Sequence, residues 1–268
     1  MTRSTRWNNL LSYLAIFALT LLLGCAPLFP FPPAKPFSQK ETAQLISRLT
    51  EQGEEIRSFQ GVGRLRFKKR GEESESNLLA VGCRPFKVRL EITHPWGKPI
   101  SHIVVDEKNI SVLSLIDNKF FTGPSGPLHT EQRFLFGIDL DSVWKILSGR
   151  IPIEPHCRAV SLKPNQVTLY DGQGEVVEII SFSPGPLLPR SAYFPKKRVT
   201  IRLREFKQGD LGPYPLRIKI QKGDLDQLVE IRYKSLGFNK PIPEEVFQLN
   251  PPPGFEIIQL DYQEKLGE

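Results

Sequence analysis

From residue 86 the chain alternates between apolar and charged positions. Phe86, Val88, Leu90 and Ile92 fall on one side, and Lys87, Arg89 and Glu91 on the other. That period of two predicts a strand with one dry face. The β-branched run 100–105 predicts its hairpin partner. Between them lies His94-Pro95-Trp96-Gly97-Lys98-Pro99. Its prolines lack a ladder donor and Gly97 tolerates positive φ, so the segment reads as a loop. Trp96 at its tip has two readings: it folds back over the sheet edge, or it stands out as an apolar finger that meets lipid or a partner.

The same period recurs along most of the chain. Residues 62–69, 77–83, 110–116 and a run from Phe120 complete a meander, with 71–76 as a polar turn. Further strands are predicted at 167–170 and 176–182, around the turn Asp171-Gly172-Gln173-Gly174, and at 199–204, 216–220, 229–234 and 255–260. Helical spacing intervenes in three places. Ser38-Gln39-Lys40-Glu41 has the form of a capping box ahead of Leu45, Ile46 and Leu49. A short helix is predicted over 130–136. Another is predicted after a cap at Asp141, with Val143, Trp144 and Leu147 on one side.

About ten or eleven strands with so few helices imply a mainly β (α+β) fold. The form that best hides the dry face is a strongly curved antiparallel sheet, an incomplete barrel covered by two or three short helices. Leu65, Phe67, Phe86, Val88, Leu90 and Ile92 would line its inner face with Val143, Trp144 and Leu147 from the helix. These residues are either ordinary core or an apolar cup that accepts acyl chains. The basic residues of the outer face are either a solvated back or a surface for headgroups or an acidic partner.

The N-terminus has a different character. Arg3 and Arg6 precede an apolar run at 10–23 that falls short of the roughly 20 residues of a membrane span. Leu22-Leu23-Gly24-Cys25 follows, then Pro27, Pro30, Pro32, Pro33 and Pro36. Residues 1–24 read as a signal peptide, 25–36 as a stiff tether beginning at Cys25, and 37–268 as one folded domain. Loss of Arg3 and Arg6 takes the formal charge from +7 to +5. An exported chain meets no nucleic acid, so this balance points to anionic headgroups or to solubility. Cys83 and Cys157 are the only other thiols, and their pairing is open.

No phosphate-binding loop, dinucleotide fingerprint, HExxH, Gly-x-Ser-x-Gly or CxxC occurs. His94, His102, His129 and His156 have no metal-ligand spacing, and Asp139 and Asp141 read as helix caps rather than a carboxylate pair. The expectation is a non-enzymatic protein without cofactor or metal.

Leu22-Leu23-Gly24-Cys25 resembles the lipobox of bacterial lipoproteins. This resemblance implies that Cys25 becomes acylated, with palmitate among its chains, and anchors the protein in a bacterial membrane. Ala26, where aspartate would signal inner-membrane retention, implies the outer membrane facing the periplasm. Gly61-Val62-Gly63-Arg64-Leu65, Leu90-Glu91-Ile92-Thr93-His94-Pro95-Trp96-Gly97, 112–119 and 139–152 occur in the order of similar segments in the LolA/LolB superfamily. These proteins bind lipoprotein acyl chains beneath a helical lid. The resemblance implies a LolB-like receptor that takes lipoproteins from a LolA-like periplasmic carrier and inserts them into the outer membrane. Pro95, Trp96 and Gly97 would form the membrane-inserting loop, Trp96 standing where the family has leucine. A structural or sensory lipoprotein of the same fold is the alternative.

Overall fold

The computed structural model describes residues 35–125, 139–223 and 227–260. The signal peptide, Cys25, most of the tether, His129 and the helix expected at 130–136 lie outside them. Residues Lys35–Glu268 are one compact unit with a single apolar core, and hold every described strand and helix.

Helix α1 (Gln39–Glu54) begins at the expected capping box: the Ser38 hydroxyl accepts the Glu41 amide, and the Glu41 carboxylate accepts the Ser38 amide. Six strands follow: β1 (Ser58–Lys69), β2 (Glu72–Cys83), β3 (Lys87–Thr93), β4 (Pro99–Asp106), β5 (Asn109–Ser114) and β6 (Lys119–Pro124). Helix α2 (Leu140–Leu147) precedes β7 (Arg158–Val160), β8 (Gln166–Tyr170), β9 (Val176–Phe182), β10 (Pro189–Phe194), β11 (Val199–Gly209), β12 (Gly212–Lys222) and β13 (Gln227–Phe238). A short 3-10 turn (Glu244–Phe247) leads to β14 (Glu256–Gln259).

All belong to one 14-stranded sheet in the order β14-β6-β5-β4-β3-β2-β1-β13-β12-β11-β10-β9-β8-β7. Every ladder is antiparallel except β14 with β6. The count exceeds the expected ten or eleven; β7 and β10, which match no predicted run, carry little strand signal. β7 has only three residues, and β10 opens on Pro189, the position in a strand where a missing donor costs least. The 71–76 turn is a correction. Arg70 and Gly71 alone turn the chain, with φ of 52° and 87°, and Glu72 is already paired with Lys69. This end of the hairpin is polar on one face because Arg66 pairs with Glu73, and Arg64 with Glu75.

The sheet is unclosed and bends round the helices. Asp139, not Asp141, is the cap of α2, accepting the Ser142 amide at 2.8 Å. Asp141 sits in the first turn, 2.6 Å from Lys145 and 3.7 Å from Arg84 at the end of β2. Asp139 lies 3.8 Å from Lys197, before β11. β2 and β11 stand four places apart in the sheet, roughly 19 Å if it were flat. One turn of helix is thereby tied to both wings. Trp144 seals the core beneath, fully buried, its ring 4.9 Å from Phe59 and 6.3 Å from Phe86. Gly82 is the concession to it: a Cβ there would stand 2.3 Å from Phe59 and 2.7 Å from the indole.

Not every strand has a charged back. Val81, Val104, Leu113 and Phe120 point away from the main core by parity and are still buried. After β13 the chain crosses behind β3, where Arg89 donates to the Val246 and Gln248 carbonyls and Lys87 meets Glu244. It then pairs with β6 as β14, running in the same direction. Trp144→Ala should lower unfolding stability by about 3–5 kcal/mol, read as a shift in the urea midpoint.

Candidate functional site

The β3–β4 loop is built as a rigid projection. The His94 amide donates to the Lys98 carbonyl and the Gly97 amide to the His94 carbonyl, both at 2.7 Å. Gly97, at φ 89°, supplies the left-handed residue that closes a three-residue hairpin loop. Asn77 on β2 donates to the carbonyls of His94 and Pro95, at 3.1 and 3.3 Å. These bonds spend the polar atoms of the loop on holding its shape. The Trp96 ring rests 3.8 Å from that of His94 and remains 82% exposed. Of the two readings of Trp96, the structure gives the projecting one.

The nine residues expected to line an apolar cup divide into two groups. Phe86, Val88, Val143, Trp144 and Leu147 are sealed in the core, which corrects their assignment to an open cup. The physical reason is that α2 lies directly on β1–β3 and Trp144 fills the space between them. Leu65, Leu90 and Ile92 are half-buried at the border of that core, and Phe67 is 40% exposed. The inner face is thus covered at the α2 end and apolar beyond it.

Two hollows that the sequence did not reveal lie beside α1. One, about 340 Å³, is lined by Leu49, Ile151 and Ile153, with Lys145, Glu154 and His156 at its edge. The other, about 130 Å³, is lined by Leu45, Leu49, Ile151, Phe182, Leu187 and Phe206. Leu49 and Ile151 border both, so a shift of α1 at this contact would join them. The larger is already at the lower end of the range for small-molecule sites. Leu45 and Leu49 were visible as apolar helix positions, whereas Ile151 and Ile153 belong to no predicted strand or helix.

Glu178 is the unexpected polar group. It lies on the inward side of β9 opposite Leu169 and is fully buried. One carboxylate oxygen accepts the Glu154 amide at 3.0 Å, and the other has no hydrogen-bond partner. Burial pushes its pKa up to about 8, against the smaller opposing pull of that hydrogen bond and of Lys197 and Lys145. Lys197 is committed to the Glu154 carboxylate at 2.7 Å. Glu178 thus holds residue 154, on the wall of the larger hollow, against the sheet.

Cys83 and Cys157 are free thiols. His102 stands on β4 opposite Glu91, and His156 bonds the Glu154 carbonyl. No cluster of three metal-ligating side chains occurs among the described residues. None of the described helices is long and apolar enough to cross a membrane.

No protein-family profile and no curated protein sequence matches the chain. Solved structures do. A DUF1329 family protein from Desulfovibrio piger superposes with a TM-score of 0.54 at 9% identity, over 78% of this chain and 97% of that one. A LolA superfamily protein from Nitrosomonas europaea gives 0.51 at 17% identity, over 78% and 98%. At such identities the likeness is one of fold. This chain therefore shares its fold with these two proteins.

The Glu178 carboxyl stays protonated in the folded state to higher pH than in the unfolded chain. Between about 4.5 and about 8 the folded form therefore binds the extra proton, and stability falls as pH rises through that window. Glu178→Gln should flatten this dependence in thermal melts recorded across it.

Proposed function

We propose that this chain is a bacterial envelope lipoprotein that receives the acyl chains of a lipid or lipoprotein between its sheet and helices and releases them into a membrane, as LolB does. The incomplete cover of the inner face carries the reading. Leu65, Phe67, Leu90 and Ile92 extend the apolar surface past the core, and hollows flank α1 at Leu49 and Ile151. A packed single-purpose core would leave neither. The fold is shared with LolA superfamily proteins, and the Leu22-Leu23-Gly24-Cys25 sequence supplies the expected anchor in the outer membrane.

Within this role the parts divide the work. The inner face keeps acyl chains from water, each buried methylene contributing about 0.8 kcal/mol. Trp96 suits the bilayer interface, where an indole places its ring among headgroups and its N–H near water. Delivery needs no nucleotide. It requires only that the receiving bilayer hold the chains more tightly than the protein does. The chain acts by binding and not by catalysis, and a soluble carrier related to LolA is the natural donor.

The sealing of Phe86, Val88, Val143, Trp144 and Leu147 favours a second reading, a partner-binding lipoprotein whose interior takes no ligand. Mass spectrometry of lipids extracted from purified Lys35–Glu268 separates the two. Acyl lipids should be found, and Leu49→Trp, which fills the α1 hollows, should lower their occupancy about tenfold. An interior empty of lipid would sink the transfer role. Trp96→Glu should fold normally and keep its lipid yet deliver it to vesicles at least tenfold more slowly. Unchanged delivery by that variant removes Trp96 from the mechanism.

A further inference from the structure

The register of the sheet places four arginines in one line across its outer face. Arg204 on β11 is directly opposite Arg217 on β12, Arg217 is opposite Arg232 on β13, and Arg232 is opposite Arg64 on β1. The adjacent row reads Arg202, Lys219, Glu230, Arg66. Like charges directly opposite one another oppose strand pairing, so such a line needs an account. Part of it is internal. Glu230 accepts Arg217 at 3.0 Å and Arg232 at 2.5 Å, and Glu75 lies 2.9 Å from Arg64. Arg204, Lys219 and Lys234 make no ion pair among the described residues.

Two further features give this surface a direction. A hollow of about 730 Å³ opens where β1 and β13 meet, walled by four cations, Arg64, Arg66, Arg232 and Lys234, against two carboxylates, Glu75 and Glu230. The arginine line also continues through Asn77 on β2 to Thr93, the last residue of β3. Asn77 is the side chain that holds the carbonyls of His94 and Pro95. One line across the sheet therefore joins a run of guanidinium groups to the base of the Trp96 loop.

We infer that the outer face of β11, β12, β13 and β1 docks on a bilayer rich in anionic phospholipid, with headgroup phosphates received along the arginine line and in the hollow beside it. The inference rests on the membrane-delivery reading and adds the surface by which the protein approaches. The exposed indole at the end of the line selects a lipid surface over a soluble anion, because a phosphate in water offers nothing for an indole to enter. Guanidinium groups suit this task, since each can hold two phosphate oxygens at once. Attraction of this kind orients the protein before any acyl chain moves.

The test uses Lys35–Glu268 and vesicles of phosphatidylglycerol with phosphatidylethanolamine. A triple variant, Arg204→Gln, Lys219→Gln and Lys234→Gln, removes charges that support no ion pair in the fold. At roughly a fivefold loss per charge, its affinity for these vesicles should fall about a hundredfold. About 1 M salt, where the screening length falls to 3 Å, should weaken the parent protein in the same way. Equal binding to phosphatidylcholine vesicles, an unchanged triple variant, or capture of polyglutamate without vesicle binding would each overturn the proposal. Lipid occupancy by mass spectrometry is read in parallel. A variant that stops docking while keeping its acyl lipid tests the outer face alone, whereas absent lipid in the parent counts against the delivery role instead.

Discussion

One constraint governs the rest: among the described residues, a 14-stranded sheet has only helices of 16 and 8 residues to cover its inner face. Helices that small cannot cover a flat sheet of this width, so the sheet closes over them. Trp144 is the point about which it closes. Its indole needs the missing side chain of Gly82 and packs against the rings of Phe59 and Phe86; these three come from β2, β1 and the turn before β3. The other end of α2 is tied as well, for the Tyr233 hydroxyl donates to the Leu147 carbonyl at 2.9 Å. Arg150 follows, its guanidinium donating to the carbonyls of Pro213 and Leu211 beside the β11–β12 turn. The short helix is thus fastened to strands on both wings.

α1 is held less completely. Phe37 ahead of it packs edge-on against Phe182, and Asn239 bonds the backbone at Glu55, Arg57 and Ser58 behind it. Between these two moorings Thr42, Leu45 and Ile46 are buried against the core, while Leu49 borders both hollows. The turn around Leu49, which borders the hollows, is the part of α1 that a ligand could displace at least cost. Glu178, whose protonation depends on remaining buried, lies under the neighbouring segment at Glu154. Opening that wall to water would favour its ionised form.

Much of the fold was legible in the residues because alternation and burial go together. Where one face is dry and the other wet, as in 86–92, the period of two is unbroken and the strand is plain. The reading failed where that contrast disappears. Glu72 to Ser76 is a strand without an apolar pattern, because its charged side chains meet arginines on β1 instead of a core. Val81, Leu113 and Phe120 are buried on the face that should have been wet, and a segment far later in the chain lies behind β3 on that face and pairs with β6. For the site, the prolines and glycine around Trp96 disclosed the loop, since they act locally. The arginine line was invisible for the opposite reason: it exists only in the register between strands, and each arginine alone looks like ordinary surface charge.

The two margins of the open sheet are unlike its centre. The outermost strands, β7 and β14, have three and four residues, while β1 and β13 have twelve each. A broad sheet left unclosed would ordinarily invite another chain to add itself at either side, since every unpaired amide and carbonyl there is a template. Here the template is cut to about one turn of the hydrogen-bond pattern. β6, which would otherwise offer its full length, is already occupied by β14. The two described margins therefore offer a second copy little backbone to pair with, so the opened barrel carries no long edge on which a fibre could grow.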